Sequence, residues 1–172
     1  AEFPEIDGER IAAVGASYGG YLVNWILGHT DRFRCLVTHA GVSELWSKWG
    51  TTDEQWFPEL EFGGAPWENP EAYDRWSPLR YAADFRTPTL VSHGEGDFRV
   101  LYTQGTAMFT ALQRRGVPSR LLLFPDEDHF VRKPKNAMLF WRTMFEWFAT
   151  YLEPARPVWT PPPRPAAAEP AP

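Results

Sequence analysis

Residues Arg10-Ile-Ala-Ala-Val-Gly-Ala-Ser-Tyr-Gly-Gly-Tyr21 carry the pattern on which this 172-residue sequence turns. Ile11 to Val14 is a short apolar run of the kind that forms a buried strand. Gly15-Ala16-Ser17-Tyr18-Gly19 fits Gly-x-Ser-x-Gly, and Tyr21 to Leu27 continues at helical spacing. A strand that feeds a helix through this pattern is a nucleophile elbow. So sharp a turn holds the serine in a strained backbone conformation, and side chains at Gly15 and Gly19 are expected to collide with neighbouring backbone. The hydroxyl then stands at the C-terminal edge of a sheet, over a helix N-terminus that favours developing negative charge. The competing interpretation is a glycine-rich turn in some other α/β fold, with Ser17 as an ordinary N-cap.

The bulk properties narrow the classes. A chain of 172 residues that is 44% hydrophobic suffices for one core and not two. A net charge of −5 without any basic cluster excludes nucleic acid as the main partner. Cys35 is the single cysteine, so no internal disulfide forms. No apolar run reaches membrane-spanning length and the N-terminus does not resemble a signal peptide, so no membrane partner is expected. The compartment stays open between cytoplasmic and periplasmic or secreted. Neither a metal site nor a cofactor motif is evident. Nine Trp and twelve Phe suit either a large core or a substrate-facing surface.

Taken in order, Arg10–Gly15 is the first strand, and the helix after Ser17 ends near Gly28-His29. Arg34–His39 is a second strand, so strand, helix and strand follow one another as in a parallel sheet with crossover helices. From Gly41 to Trp76 the periodicity fails among Trp, Gly and Pro residues, which predicts short helices and loops over the top of the sheet. Ser77-Pro78 reads as a helix start, with Ser77 as N-cap. Pro88–Gly94 is the third strand, Thr103–Arg115 a helix closed by Gly116, and Ser119–Phe124 the fourth strand. Pro134–Leu152 is an amphipathic helix offering Met138, Leu139, Trp141, Met144, Phe145 and Phe148 for burial. Residues 1–153 therefore form one α/β unit, and 154–172 a proline- and alanine-rich extended tail.

Hydrolases built around such an elbow order their triad as Ser, then Asp or Glu, then His. Of the four histidines, only His129 lies beyond every plausible acid and just after a strand. His93 and His39, at strand ends, read as packed structural residues, and His29 as a helix C-terminal residue. Asp97 sits a few residues past the third strand, with Glu95 the runner-up. Asp126 and Asp128 flank His129 but read as a solvated acidic loop. In this scheme His129 takes the Ser17 proton, Asp97 orients the ring, and the Tyr18 N–H is one of two oxyanion donors.

Several motifs together resemble the C-terminal catalytic domain of the prolyl oligopeptidase family: Gly-Ala-Ser-Tyr-Gly-Gly-Tyr, His93-Gly-Glu-Gly-Asp-Phe-Arg-Val, Ala-Leu-Gln-Arg-Arg-Gly-Val-Pro-Ser and Phe-Pro-Asp-Glu-Asp-His129. Asn24-Trp-Ile-Leu-Gly-His and Phe62-Gly-Gly-Ala-Pro-Trp-Glu-Asn-Pro-Glu resemble its dipeptidyl and acylaminoacyl peptidase branch. The resemblance runs from about Ile6 to Leu152. It implies an α/β-hydrolase fold, with helices on both faces of a parallel sheet, and a peptidase acting on short peptides. It implies Ser17 as nucleophile, Asp97 as acid and His129 as base. It places Val42 and Val100 in the pocket for the side chain before the scissile bond.

Leu101 stands where the family usually has Pro, and Asp128 where it often has Gly or Asn. The second change sets an extra carboxylate beside the candidate base in sequence. The resemblance also implies a β-propeller, the first sheet strands and an oxyanion loop ahead of the elbow strand. A chain without them is expected to self-associate through an open sheet edge and to turn over aminoacyl-β-naphthylamides weakly or not at all. The same triad would serve a carboxylesterase, and a non-catalytic interaction module is the alternative from another class.

Overall fold

The computed structural model describes residues 7–153. The tail 154–172 lies outside them. Four strands, β1 (Ala12–Ala16), β2 (Cys35–His39), β3 (Thr89–Gly94) and β4 (Ser119–Phe124), form one sheet in the order β1-β2-β3-β4. All three pairings are parallel. Helices α1 (Tyr18–Leu27), α5 (Tyr102–Arg114) and α6 (Pro134–Leu152) connect and cover it. Helices α2 (Leu45–Thr51), α3 (Trp56–Phe62) and α4 (Pro70–Arg75), with a 3₁₀ helix at Pro78–Asp84, fill the long connection from β2 to β3. Among the described residues β1 pairs only with β2, so the elbow strand lies at a sheet edge.

The central strands β2 and β3 are buried along their whole length, as expected of a parallel sheet covered on both faces. Alternation divides their side chains. Leu36 and Val91 face a core shared with Val23 and Leu27 of α1 and with Met108 and Leu112 of α5, closed by Phe85. Val37 and Leu90 face the opposite way, against Met144 with Phe140, Trp147 and Phe148 of α6. This corrects the expected face of α6. Met138, Trp141 and Phe145 are 74%, 52% and 61% exposed, because a different stripe of the same helix meets the sheet.

Over the C-terminal rim, Val42, Leu45, Tyr73 and Val100 form a third cluster with Tyr21, Trp49 and Phe62. Glu44 caps α2, accepting from the N–H groups of Trp46 (2.9 Å) and Ser47 (2.7 Å). Gln104 fastens α5 to this layer. Its Oε1 accepts from the N–H groups of Ser43 (2.9 Å) and Glu44 (2.8 Å), and its Nε2 donates to Ser47 Oγ (2.8 Å). Ser77 does not cap the 3₁₀ helix. Its hydroxyl instead accepts from the Leu45 N–H and donates to the Tyr73 carbonyl, tying α2 to α4.

The elbow glycines divide by what surrounds them. A Cβ at Gly15 would lie 2.1 Å from the Gly19 carbonyl oxygen, as the sharp turn requires. One at Gly19 would meet nothing within 4 Å, contrary to expectation. The second close approach is at Gly20, where a Cβ would come within 2.8 Å of both the His39 carbonyl oxygen and Gly41 Cα. Gly20→Ala is therefore expected to cost about 1–3 kcal/mol through overpacking. Gly19→Ala, at an open helical position, is expected to be neutral or to stabilise by up to about 1 kcal/mol. Urea denaturation of the two variants measures both.

His39 joins three strands at the rim. Its carbonyl accepts from the Ser17 N–H (2.9 Å), its Nδ1 accepts from the Ser92 hydroxyl (2.6 Å) and its Nε2 donates to the His129 carbonyl (3.3 Å). Burial pushes the imidazole down to about 4 from 6.5, against the opposing pull of its hydrogen bond to the His129 carbonyl. Because the folded value is depressed, folding favours neutral His39. Its contribution is complete above about pH 6.5 and is lost as the pH falls towards 4. Unfolding free energy is expected to decline across that window by on the order of 3 kcal/mol, and His39→Gln to flatten the decline. Urea titrations at pH 4 to 7 provide the test.

Candidate active site

The register brings three loops to one rim. Ala16 pairs with His39, His39 with Ser92, and Gly94 with Phe124. Ser17 directly follows β1, Asp97 lies in the turn after β3, and His129 lies in the loop after β4. The crevice outside the carboxyl ends of a parallel sheet is where such folds place ligands.

Ser17 has φ 57° and ψ −119°, a positive-φ conformation rare for a residue with a side chain. It stands at the N-cap position of α1, yet its side chain makes no capping hydrogen bond. The ordinary N-cap interpretation therefore fails, and the hydroxyl is not consumed by its own helix. As the first residue of α1, Tyr18 carries an N–H that the helix itself leaves without an acceptor.

Asp97 is buried and held from several directions. One oxygen, Oδ1, accepts from the N–H groups of Arg99 and Val100, both at 2.9 Å. The other, Oδ2, accepts from His129 Nδ1 at 2.7 Å and lies 3.4 Å from His93 Nε2. Burial alone would raise this carboxyl. The hydrogen bonds from His129, His93 and the Val100 N–H overcome it and hold the group well below the usual carboxylate range. His93 is completely buried, and its Nε2 also donates to the Val100 carbonyl (2.7 Å), so it braces the turn.

With Nδ1 committed to Asp97, His129 keeps Nε2 as its free ring nitrogen. No hydrogen bond links Ser17 Oγ to that ring among the described residues. The two residues are coupled through His39, whose carbonyl holds Ser17 and whose ring holds the His129 backbone. Glu95, the alternative acid, is exposed. Asp126 pairs with Lys133 (2.7 Å) and Asn136 (2.9 Å), and Asp128 accepts from the Phe130 N–H (2.9 Å). Neither acid flanking His129 is a partner of its ring.

Ser17 and Tyr18 open onto a cavity of about 140 Å³. Val42 and Val100 line it with Leu45, Tyr21, Phe57 and Phe62, so the sequence-derived pocket residues do share one cavity with the serine. Its charged members are Lys48, Glu54, Glu61 and Arg99. Glu61 accepts from the Tyr18 hydroxyl and thereby pushes that phenol up to about 12. Arg99 pairs with Asp53 (2.9 Å) and Glu54 (3.1 Å).

Sequence reasoning passed over Lys48, Glu61, Gln104 and the structural links of His39. Lys48 left one signal: it stands three residues after Leu45, on the buried face of α2. Glu61 and Gln104 act through partners 43 and about 60 residues away, which no local pattern reveals.

Comparison with known proteins places this geometry. Dipeptidyl-peptidase 5 of Porphyromonas gingivalis is 46% identical over 155 residues, covering 87% of this chain and 23% of the relative. Dipeptidyl-peptidase 5 of Schizosaccharomyces pombe is 44% identical over 149 residues, covering 86% and 22%. The chain thus spans less than a quarter of the length of these relatives. Among solved structures, an acylaminoacyl peptidase of Pyrococcus horikoshii superposes with a TM-score of 0.85 at 28% identity, over 92% of this chain and 27% of that one. The profile of the prolyl oligopeptidase family matches residues 1–155. With the elbow, the parallel sheet and this match across all of the described residues, the protein belongs to the prolyl oligopeptidase family.

Proposed function

We propose that Ser17, His129 and Asp97 are the nucleophile, base and acid of a serine peptidase acting on short peptides, releasing N-terminal dipeptides or acylated residues. The observation that supports this most strongly is the 2.7 Å contact between buried Asp97 and His129 at the rim where Ser17 is held at positive φ. The likeness to dipeptidyl-peptidase and acylaminoacyl peptidase relatives supports the proposed substrate class.

In the proposed reaction His129 Nε2 takes the proton from Ser17 Oγ as that oxygen attacks the scissile carbonyl. Negative charge moves onto the carbonyl oxygen, and the Tyr18 N–H donates to it at the start of α1. The second donor falls to a segment ahead of β1, as the family resemblance implies. Collapse of the tetrahedral intermediate passes the proton from His129 to the leaving amine and leaves an acyl-enzyme. Water, activated by the same ring, then releases the acid. Asp97, kept ionised by its hydrogen bonds, fixes the tautomer with Nδ1 protonated and stabilises the imidazolium. Val42 and Val100 receive the side chain before the cleaved bond.

A fluorophosphonate probe followed by peptide mapping tests the assignment. Ser17 is expected to be the labelled residue, Ser17→Ala to abolish labelling, and Asp97→Asn to slow it by about 10³–10⁴-fold. Labelling at another residue, or none on folded protein, would remove the peptidase reading.

A further inference from the structure

The pocket beside Ser17 holds a cation that its surroundings leave under-satisfied. Lys48, on α2, lines the cavity and is only 6% exposed. A lysine on a protein surface normally snorkels its ammonium into water; this one does not. Its Nζ donates to Thr52 Oγ1 at 3.2 Å and sits 6.0 Å from the centre of the Phe57 ring, itself a cavity wall. Among the described residues that is its one hydrogen bond, for a group with three N–H donors. The carboxylates nearest in charge, Asp53 and Glu54, are both engaged by Arg99. Glu61 is engaged by the Tyr18 hydroxyl. Burial accordingly lowers the Lys48 pKa from its ordinary value, against the pull of Glu54 and Asp53.

A buried donor without acceptors costs free energy that a ligand supplying an acceptor recovers. Apolar walls from Val42, Leu45, Val100, Phe57 and Phe62 hold a hydrocarbon stem, while the other charged walls are already engaged, Glu54 with Arg99 and Glu61 with the Tyr18 hydroxyl. We propose that Lys48 makes this cavity selective for a substrate side chain with an aliphatic stem and a terminal hydrogen-bond acceptor, as in glutamine or glutamate, over an apolar side chain of equal length. The assignment rests on Ser17 being the nucleophile, because only then does the cavity receive the residue before the cleaved bond.

Dipeptidyl diphenylphosphonates carrying glutamine, glutamate or norleucine in the position that enters the cavity test this on the intact chain. Ser17 Oγ attacks phosphorus, the O–P bond forms, phenoxide leaves, and His129 carries the proton from serine to the departing oxygen. The glutamine and glutamate probes are expected to label about tenfold faster than the norleucine probe. Lys48→Met is expected to reverse that order, with an unchanged far-UV circular dichroism spectrum showing that the variant is folded. Equal rates, or faster labelling by the norleucine probe on the unaltered protein, overturn the role of Lys48. Failure of an alkyl fluorophosphonate to label Ser17 overturns the nucleophile assignment instead, and the pocket inference with it.

Discussion

The hydrogen bond from the Ser17 N–H to the His39 carbonyl, 2.9 Å long, is the constraint on which the rest of the structure depends. A residue with a side chain held at positive φ costs on the order of 1–3 kcal/mol and persists only where its surroundings over-determine it. Here several features do so. The next turn closes through the Tyr21 N–H to the Ser17 carbonyl at 2.9 Å. Gly15 lies so close to the Gly19 backbone that no side chain fits between them. Gly20 presses equally against Gly41 and the His39 carbonyl. Strain at one residue is thus balanced by packing spread across β1, β2 and the start of α1.

From that fixed point the sheet dictates the site. Parallel pairing sends every strand to the same rim, so residues distant in sequence arrive together without any local signal linking them. His39 then serves twice, with its main chain for the elbow and its ring for the loop that carries His129. On the far side of that loop, Asp97 meets the His129 ring while two backbone N–H groups and His93 hold it ionised. The proposed chemistry asks for a carboxylate that stays charged when buried, and the hydrogen bonds of this turn favour that form. Above, the aromatic connection between β2 and β3 roofs the rim and shapes the cavity at Ser17.

Much of this was legible in the sequence, for definite reasons. Short apolar runs such as Cys35–Val37 and Leu121–Leu123, bounded by turn residues, suit strands of a covered sheet, and Ser119–Phe124 and Pro134–Leu152 fall where their patterns put them. The order of Ser17, Asp97 and His129 follows from which loops share a rim. The contacts of α6 were not legible, because the helix carries two apolar stripes. Met138, Trp141 and Phe145 form one, and Phe140, Met144, Trp147 and Phe148 the other. Periodicity gives both stripes and cannot say which meets the sheet. Gly19 was misread for a related reason, since a motif fixes residue types but not which glycine touches which neighbour. Lys48 looked like one more polar residue among tryptophans; only the folded connection reveals that its ammonium is enclosed.

The central claim concerns where atoms stand when the serine reacts. A crystal structure of the protein after treatment with a fluorophosphonate examines it most directly. The account predicts phosphorus bonded to Ser17 Oγ, a phosphonyl oxygen accepting from the Tyr18 N–H, His129 Nε2 within hydrogen-bond distance of the adduct, and the Asp97–His129 contact intact. An unmodified Ser17 with the adduct elsewhere, or His129 turned away from a modified serine, would contradict it.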